Sequence, residues 1–516
     1  MKTIFQKSRS GRQAVMFPRP RIPQEAFTAS QLSPELARSK PAELPEMAEV
    51  DVVRHFTNLS RLNFGVDVGP YPLGSCTMKY NPKFTEELAR LPGFAQLHPL
   101  LPQLRRGGLL AQGALQVLYD TEQLLGAITG MDAFTLQPLA GAHGELTGLM
   151  LMAAYHRDRG NDKAIILAPD ESHGTNPASA AIAGFEVVTV PTVKGIMTPE
   201  DFEARLNPQV AGVMMTNPNT LGLFNPHVKR MADAAHRVDA LMYYDGANLN
   251  AILGRAKPAD LGFDIVHLNL HKTFGTPHGG GGPGAGPVGV VEKLVDYLPV
   301  SRVVQRADGT FFLDYDRPKS IGYIAPFYGN FGVILKAYAY ILALGGSGLK
   351  KVAEDAVLAA NYLRVKLSAH WQPAVEGPCL HEVVFSAADK AERFGVRAND
   401  IAKALIDEGF HPPTVYFPLV VKEALMIEPT ETENRENLDA FVAAMERIAR
   451  TAETDPGALR AAPLTTPVGR LDEVLAARKP DLAEKEEEAE LNAGEGLEVV
   501  GPEFPVIRPP GSPECL

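Results

Sequence analysis

Residues 264–290, DIVHLNLHKTFGTPHGGGGPGAGPVGV, decide how this chain is to be read. An apolar run at 265–270 delivers His271 and Lys272 and is followed at once by glycine-rich backbone able to turn tightly. A lysine amine forms Schiff bases and becomes nucleophilic when its surroundings lower its pKa. A strand ending on a lysine and then bending sharply is therefore a good place to hold a carbonyl compound covalently. Taken alone, the same pattern also describes a core strand whose last lysine points into water.

Outward from this stretch, apolar runs at 133–138, 164–168, 186–190, 211–216 and 241–244 alternate with helical spacing at 109–129, from the 140–145 loop to about 156, and at 228–238. Continuous apolar strands alternating with helices indicate an α/β, mostly parallel sheet covered on both faces. In such sheets the ligand sits beyond the carboxyl ends of the strands. A second unit begins near 331, with a helix at 333–343, a break at Gly345-Gly346 and a helix at 349–367. A strand at 381–385, a helix at 398–408 and a strand at 415–418 complete a smaller α+β domain. The organisation expected is an N-terminal arm over 1–80, with a short helix at 45–58, a large domain over 81–330, a small C-terminal domain over 331–455 and an acidic tail over 456–516. No internal repeat is evident.

At 516 residues the chain exceeds one comfortable core. A net charge of −11 argues against nucleic acid as the main partner. No apolar run reaches the length of a bilayer, so no membrane association is expected. Cys76, Cys379 and Cys515 are widely spaced and odd in number, neither a disulfide framework nor a zinc pattern, which points to a reducing, cytoplasmic setting. Residues 1–24 carry Lys2, Lys7, Arg9, Arg12, Arg19 and Arg21 and no acidic residue, a composition shared with transit peptides. Pro18, Pro20 and Pro23 interrupt any amphipathic helix there, and an extended arm is the better reading.

The residues that follow the strands carry the chemistry. After 133–138 the loop AGAHGE (140–145) opens a helix, whose freed amides and positive dipole end bind a phosphate well. After 164–168 comes His173, able to lie flat on an aromatic ring, with Thr175 and Asn176 as polar contacts. After 241–244 comes Asp245, a carboxylate at the end of an apolar strand, costly unless a positive group offsets it. Each has a bland alternative: an ordinary turn, a surface histidine, a structural salt bridge. One ligand satisfies all four sites, with a phosphate for AGAHGE, a ring for His173, a pyridine nitrogen for Asp245 and an aldehyde for Lys272. That ligand is pyridoxal 5′-phosphate (PLP). The turn-rich segment YPLGSCTMKYNP (71–82) is either a surface loop or part of the pocket lining.

Rival motifs are weaker. Gly279, Gly281 and Gly284 satisfy G-x-G-x-x-G, but inside a glycine run and without an acidic ribose partner. His267 and His271 are four apart, as zinc ligands are, yet no glutamate stands between them and a strand does not give them helical geometry, so no metal site is expected. His271 flanks the cofactor in this reading, and His267 is structural.

PLGSCTMKYNP, QPLAGAHGEL, SHGTNPASA, YYDGANLNA and HLNLHKTFGTPHGGGGPG closely resemble the glycine decarboxylase (P-protein) family of the glycine cleavage system, in the family's order, and FHPPTVYFPLVVKEALMIEPTETE (410–433) resembles its C-terminal domain. The likeness covers about residues 8 to 455. In single-chain members these motifs occupy the second half of a chain about twice as long, so the sequence is similar to subunit 2 of the two-chain form. The resemblance implies a fold-type I, aspartate aminotransferase-like PLP enzyme, with the active site near an interface with a subunit 1 in a heterotetramer. It implies Lys272 as the Schiff-base residue, Asp245 as partner of the pyridine nitrogen and His173 as the stacking ring. Ala142 and His143 would hold the phosphate through their amides, with Thr175 and Asn269 completing the cofactor contacts and His271 nearby for proton transfer. The family often carries Ser and Gln where this chain has Ala140 and His143, which removes a hydroxyl contact. The reaction implied is decarboxylation of glycine with transfer of the aminomethyl group to the lipoyl arm of H-protein. A PLP decarboxylase without a lipoyl partner would release free amine instead. A non-catalytic scaffold would not need Asp245, His173 and Lys272 all intact.

Overall fold

A computed structural model describes residues 2–12, 33, 35–40, 42–104 and 107–482. The acidic run at 484–490, Cys515 and most of the proline-interrupted basic segment lie outside the described residues. The described residues fall into two compact units, one drawn from Met1–Asn63 and Leu471–Leu516, the other Phe64–Arg470. In the first, the helix Glu49–Ser60 meets the N-terminal basic residues through Arg12–Asp51 at 2.7 Å and Lys7 Nζ to His55 Nδ1 at 2.8 Å.

The second unit is built on a seven-stranded sheet. Its strands are β1 (Ala133–Thr135), β2 (Ile165–Pro169), β3 (Glu186–Val190), β4 (Val210–Thr216), β5 (Leu241–Gly246), β6 (Ile265–Leu268) and β7 (Val288–Val290). The spatial order is β1-β7-β6-β5-β4-β2-β3. Neighbours from β3 through β6 are parallel, and β7 pairs antiparallel with both β6 and β1. The central strands β5 and β6 are buried along their whole length, as an apolar run covered on both faces requires. One face carries Phe134, Leu167, Met242 and Val266 into a large core that includes the helix Gln112–Thr129, while the other packs Ile166, Met214, Tyr243 and Ile265 under the helix Gly141–Asp158.

A second, antiparallel sheet orders Gln372–Pro373, Val383–Ser386, Ala424–Ile427 and Thr414–Val415. The helices Ala398–Asp407 and Arg435–Thr454 contribute to the core around it. The long helix Phe331–Leu367 is interrupted at Gly345, whose φ of 59° and ψ of −176° leave the helical region at the expected glycine pair. Contrary to the sequence expectation, this helix passes the length and composition test for a membrane span; yet Val333, Ile334, Leu335 and Ile341 are core residues.

Four elements, among others, differ from the sequence reading. The strand expected to run to Leu270 stops at Leu268, and Leu270–Thr273 forms a helical turn that carries Lys272. The antiparallel β7 and the strand Ala424–Ile427 had no counterpart in the pattern. The N-terminal helix runs Glu49–Ser60, shifted from 45–58.

The sheet faces tolerate no extra bulk where helices cross them. A Cβ on Gly148 would lie 2.2 Å from Tyr243 Cε2 and 3.1 Å from Ile265 Cγ2. Gly148→Ala should therefore lower stability by about 1–3 kcal/mol despite alanine's better helix propensity, read as a lower midpoint in chemical denaturation. A gain in stability would mean that the helix Gly141–Asp158 sits farther from β5 than described.

Candidate active site

Each predicted residue lies at a strand's carboxyl end, in the loop after it or in the first turn of the helix that follows. The register of β5 and β6 sets Asp245 beside His267, and the turn after β6 brings Lys272 close behind. Asp245 is 4% exposed. Its Oδ1 accepts the Ala247 amide at 3.1 Å and lies 3.3 Å from His267 Nε2. Burial opposes ionisation, but His267, the Ala247 amide, Lys272 and His173 outweigh it and hold the carboxyl below its ordinary range. His267 Nδ1 in turn meets the Tyr243 hydroxyl at 2.8 Å. Burial lowers the pKa of this imidazole, against the opposing pull of the Asp245 carboxylate. His267, read from sequence as merely structural, is therefore the immediate neighbour of the Asp245 carboxylate.

Glu145 completes a compact buried group. One carboxylate oxygen of Glu145, one of Asp245 and a His267 nitrogen all lie within 4.8 Å of one another. Burial first, and then the charge of Asp245, push the Glu145 carboxyl up to about 8, so it holds its proton at neutral pH. Ser179 Oγ donates to Glu145 at 3.3 Å. Asn176, with its amide nitrogen turned inward, donates to Glu145 at 3.1 Å and to Asp245 at 3.2 Å. Sequence reasoning assigned Asn176 to the ring face and overlooked Glu145, whose only signal was an acidic residue at a helix start.

Lys272 Nζ donates to the Ser75 carbonyl at 2.6 Å. His173 is exposed, with the Phe417 ring edge-on at 5.5 Å, and its Nδ1 accepts the Thr175 amide at 3.2 Å, which leaves the proton on Nε2. The helix Gly141–Asp158 starts at an extended Ala140 with no side-chain cap, so its first-turn amides, those of Ala142 and His143 among them, lack intrahelical partners. His143 Nδ1 accepts the Leu139 amide at 3.2 Å, which turns its ring back along the chain. Asn269 lies against this loop: a Cβ on Gly141 would fall 2.5 Å from Asn269 Oδ1, a buried oxygen without a hydrogen-bond partner. His271 turns toward the glycine-rich loop instead, where its Nδ1 accepts the Ala285 amide at 3.2 Å and its ring meets His278 edge-on. Burial first, then Lys272, lower its pKa to about 4.

These features fit PLP. An ionised aspartate is buried with cationic and hydrogen-bonding support, an unpartnered Asn269 oxygen faces the loop, and uncapped helix amides are ready for a phosphate. The fold agrees. A crystal structure of glycine decarboxylase (P-protein) in inhibitor-bound form superposes with a TM-score of 0.68 at 23% identity, covering 81% of this chain and 94% of that one. Aspartate aminotransferase from Thermus thermophilus gives 0.52 at 15% identity, covering 75% and 99%. Sheet order and the second, antiparallel sheet give the aspartate aminotransferase-like fold, fold type I.

Family models for the glycine cleavage system P-protein and for the glycine dehydrogenase C-terminal domain match residues 108–309 and 352–460. The probable glycine dehydrogenase (decarboxylating) subunit 2 of Caldanaerobacter subterraneus subsp. tengcongensis is 56% identical over 92% of this chain and 97% of its own length. Its counterpart from Thermotoga maritima is 51% identical over 93% and 98%. The chain belongs to the glycine dehydrogenase (decarboxylating) subunit 2 family.

The raised Glu145 carboxyl has a consequence for stability. A folded-state pKa of about 8 against an unfolded value near 4.5 means that the folded state binds this proton more tightly. The resulting stabilisation is complete below about pH 4.5 and is lost as pH rises through 8. Glu145→Gln, which keeps the shape without the proton, should gain thermal stability relative to the parent between pH 6 and 9, by several degrees at the upper end. Melting curves of both proteins across that range that stay parallel would show that Glu145 is ionised at neutral pH.

Proposed function

We propose that this chain catalyses PLP-dependent decarboxylation of glycine and passes the aminomethyl group to the lipoyl arm of H-protein, acting with a subunit 1 partner in a heterotetramer. The observation that carries the reading is the juxtaposition of the buried, ionised Asp245 with Lys272 at the ends of adjacent parallel strands. We place it in the cytoplasm with its bacterial relatives, with residues 81–330 as the cofactor domain and 331–455 as the small domain.

PLP, when bound, supplies an electrophilic aldehyde carbon and a ring that takes up the electron pair released as a carboxylate leaves. The residues of this chain position and tune that chemistry. Lys272 holds the aldehyde carbon covalently between turnovers. Asp245 keeps the ring nitrogen protonated, and His267 and Asn176 keep Asp245 oriented and charged. His173 covers one ring face with Thr175 fixing its tautomer. The Ala142 and His143 amides anchor the phosphate, and Asn269 closes the gap between that loop and β6. With its pKa near 4, His271 is neutral at physiological pH and turned to the glycine-rich loop, so proton transfer falls to the Lys272 amine once it is freed.

Borohydride reduction of the chain mixed with PLP, followed by peptide mass mapping, should place a pyridoxyl group on Lys272. If the chain alone takes no label, the mixture is repeated with subunit 1, and absence of label there would sink the assignment. Lys272→Ala should abolish both the label and turnover while leaving the melting curve intact. Asp245→Asn should slow decarboxylation by roughly two orders of magnitude or more, because a neutral pyridine is a poorer electron sink. Near-normal turnover in that variant would remove Asp245 from its role.

A further inference from the structure

The segment 71–82 meets the turn that carries Lys272 at two adjacent residues, Lys272 and Thr273. Ser75 offers its carbonyl to the Lys272 ammonium at 2.6 Å, while Lys79, itself 2% exposed, donates to the Thr273 carbonyl at 2.6 Å. The segment therefore grips the helical turn through the catalytic side chain and through the backbone of the next residue. Its conformation is not one the chain adopts freely. Ser75 and Thr77 have φ of 60° and 47°, left-handed values that are rare for non-glycine residues and rarest for a β-branched one.

The small antiparallel sheet supplies the anchors. Gly74 N–H donates to the Met426 carbonyl at 3.2 Å, and the Thr414 hydroxyl donates to the Gly74 carbonyl at 2.8 Å. Glu382 accepts the Ser75 amide at 2.9 Å. Glu428 accepts the Thr77 hydroxyl at 2.6 Å and the Thr77 amide at 3.1 Å. Asn250 and Asn248 donate to the same carboxylate at 3.2 and 3.3 Å, and Asn248 also donates to the Thr77 hydroxyl at 3.0 Å. Glu382 and Glu428 are 1% and 0% exposed. The two carboxylates and a nitrogen of buried His381 lie within 4.8 Å of one another. Two carboxyl groups kept so close in the interior have a large electrostatic cost: burial raises both pKa values, and the charge of Glu428 raises that of Glu382 further. Both Glu428 oxygens are taken up by Thr77 and the two asparagines, so the cluster serves as a hydrogen-bond anchor.

We propose that Glu382 and Glu428 are positioning residues for Lys272: through Ser75 and Thr77 they hold the Ser75 carbonyl against the lysine, and so fix the amine where the cofactor's aldehyde carbon must meet it. This rests on Lys272 being the residue that holds PLP. It assigns the C-terminal sheet a direct part in placing a side chain that belongs to the large parallel sheet. Loss of the anchor should leave the ring and phosphate contacts intact and weaken only the covalent attachment.

The test uses the full chain and the variants Thr77→Val, Thr77→Ser and Glu428→Gln, with folding checked by thermal melting. Two quantities are compared in each protein: the rate at which a borohydride-reducible PLP adduct forms on Lys272, and the affinity for pyridoxamine 5′-phosphate, which lacks the aldehyde. Thr77→Val and Glu428→Gln should slow attachment roughly tenfold or more, as misplacement of a reacting group by a fraction of an ångström does, while the analogue binds as it does to the parent. Thr77→Ser, which keeps the hydroxyl, should restore the parental rate. Parental attachment rates in Thr77→Val and Glu428→Gln would overturn the proposal, as would equal losses of attachment and analogue affinity, which mark a merely structural role. The Thr77 pair keeps the test open if Glu428→Gln does not fold. If the parent chain alone forms no adduct, all the proteins are compared with subunit 1 added; no adduct on Lys272 in the parent there would overturn the functional reading itself, whereas an adduct in the parent matched by all variants would remove only the anchor.

Discussion

The constraint on which this site depends is a negative charge kept in the interior. Asp245 ends the central strand β5 and is almost wholly buried, a placement that by itself would drive its carboxyl to the neutral form. It stays ionised because the parallel register sets His267 opposite, because the chain turns to present the Ala247 amide, and because Lys272 follows one strand over. Its neighbour Glu145 yields instead and keeps a proton. Two carboxyl groups in one buried group are thus divided into a charged one and a neutral one by how many donors and cations each faces. Asp245 has His267, the Ala247 amide, Lys272 and His173; Glu145 has the Ser179 hydroxyl and a smaller pull from Lys272, while Asn176 donates to both.

Much of this was legible in the sequence because parallel sheets write themselves plainly. Strands buried on both faces read as unbroken apolar runs, and the residues just beyond them are the ones that meet the ligand. That rule picks out Asp245, Lys272, His173 and the AGAHGE loop, and the structure sets them at the carboxyl end of the sheet's parallel strands. Helix and strand limits in the large sheet followed closely, β3 without any shift. The turn carrying Lys272 was misread as strand because Leu270 continues the apolar pattern, although it serves a helical turn whose Leu270 is buried. His267 was misjudged for a related reason: within an apolar strand a histidine reads as core, and its partner Asp245 is defined only once β5 and β6 are in register.

What the sequence withheld is of another kind. Ser75 and Lys272 are 197 residues apart, Ser75 and Glu382 are 307, and Thr77 and Glu428 are 351. No local pattern signals that a turn-rich segment near the start will be gripped by two carboxylates near the end. The left-handed φ of Thr77 is equally invisible, since local preference runs against it and only the surrounding hydrogen bonds impose it. Where local propensity and final structure disagree in this way, the segment is specified by its contacts, and here those contacts converge on one lysine.

The charge balance explains why that lysine needs such support. Lys272 is among the groups that hold Asp245 ionised, after His267 and the Ala247 amide, and it lies within electrostatic reach of Glu382 and Glu428. As an ammonium bound to the Ser75 carbonyl the amine has no lone pair to offer. A lysine acts as a nucleophile only without its proton, and so without its charge. Asp245 would hold a protonated ring nitrogen of bound PLP, which would bring a positive charge to the same neighbourhood. On the proposal made above, the segment 71–82, through the Ser75 carbonyl, keeps the amine in place when its own charge no longer does.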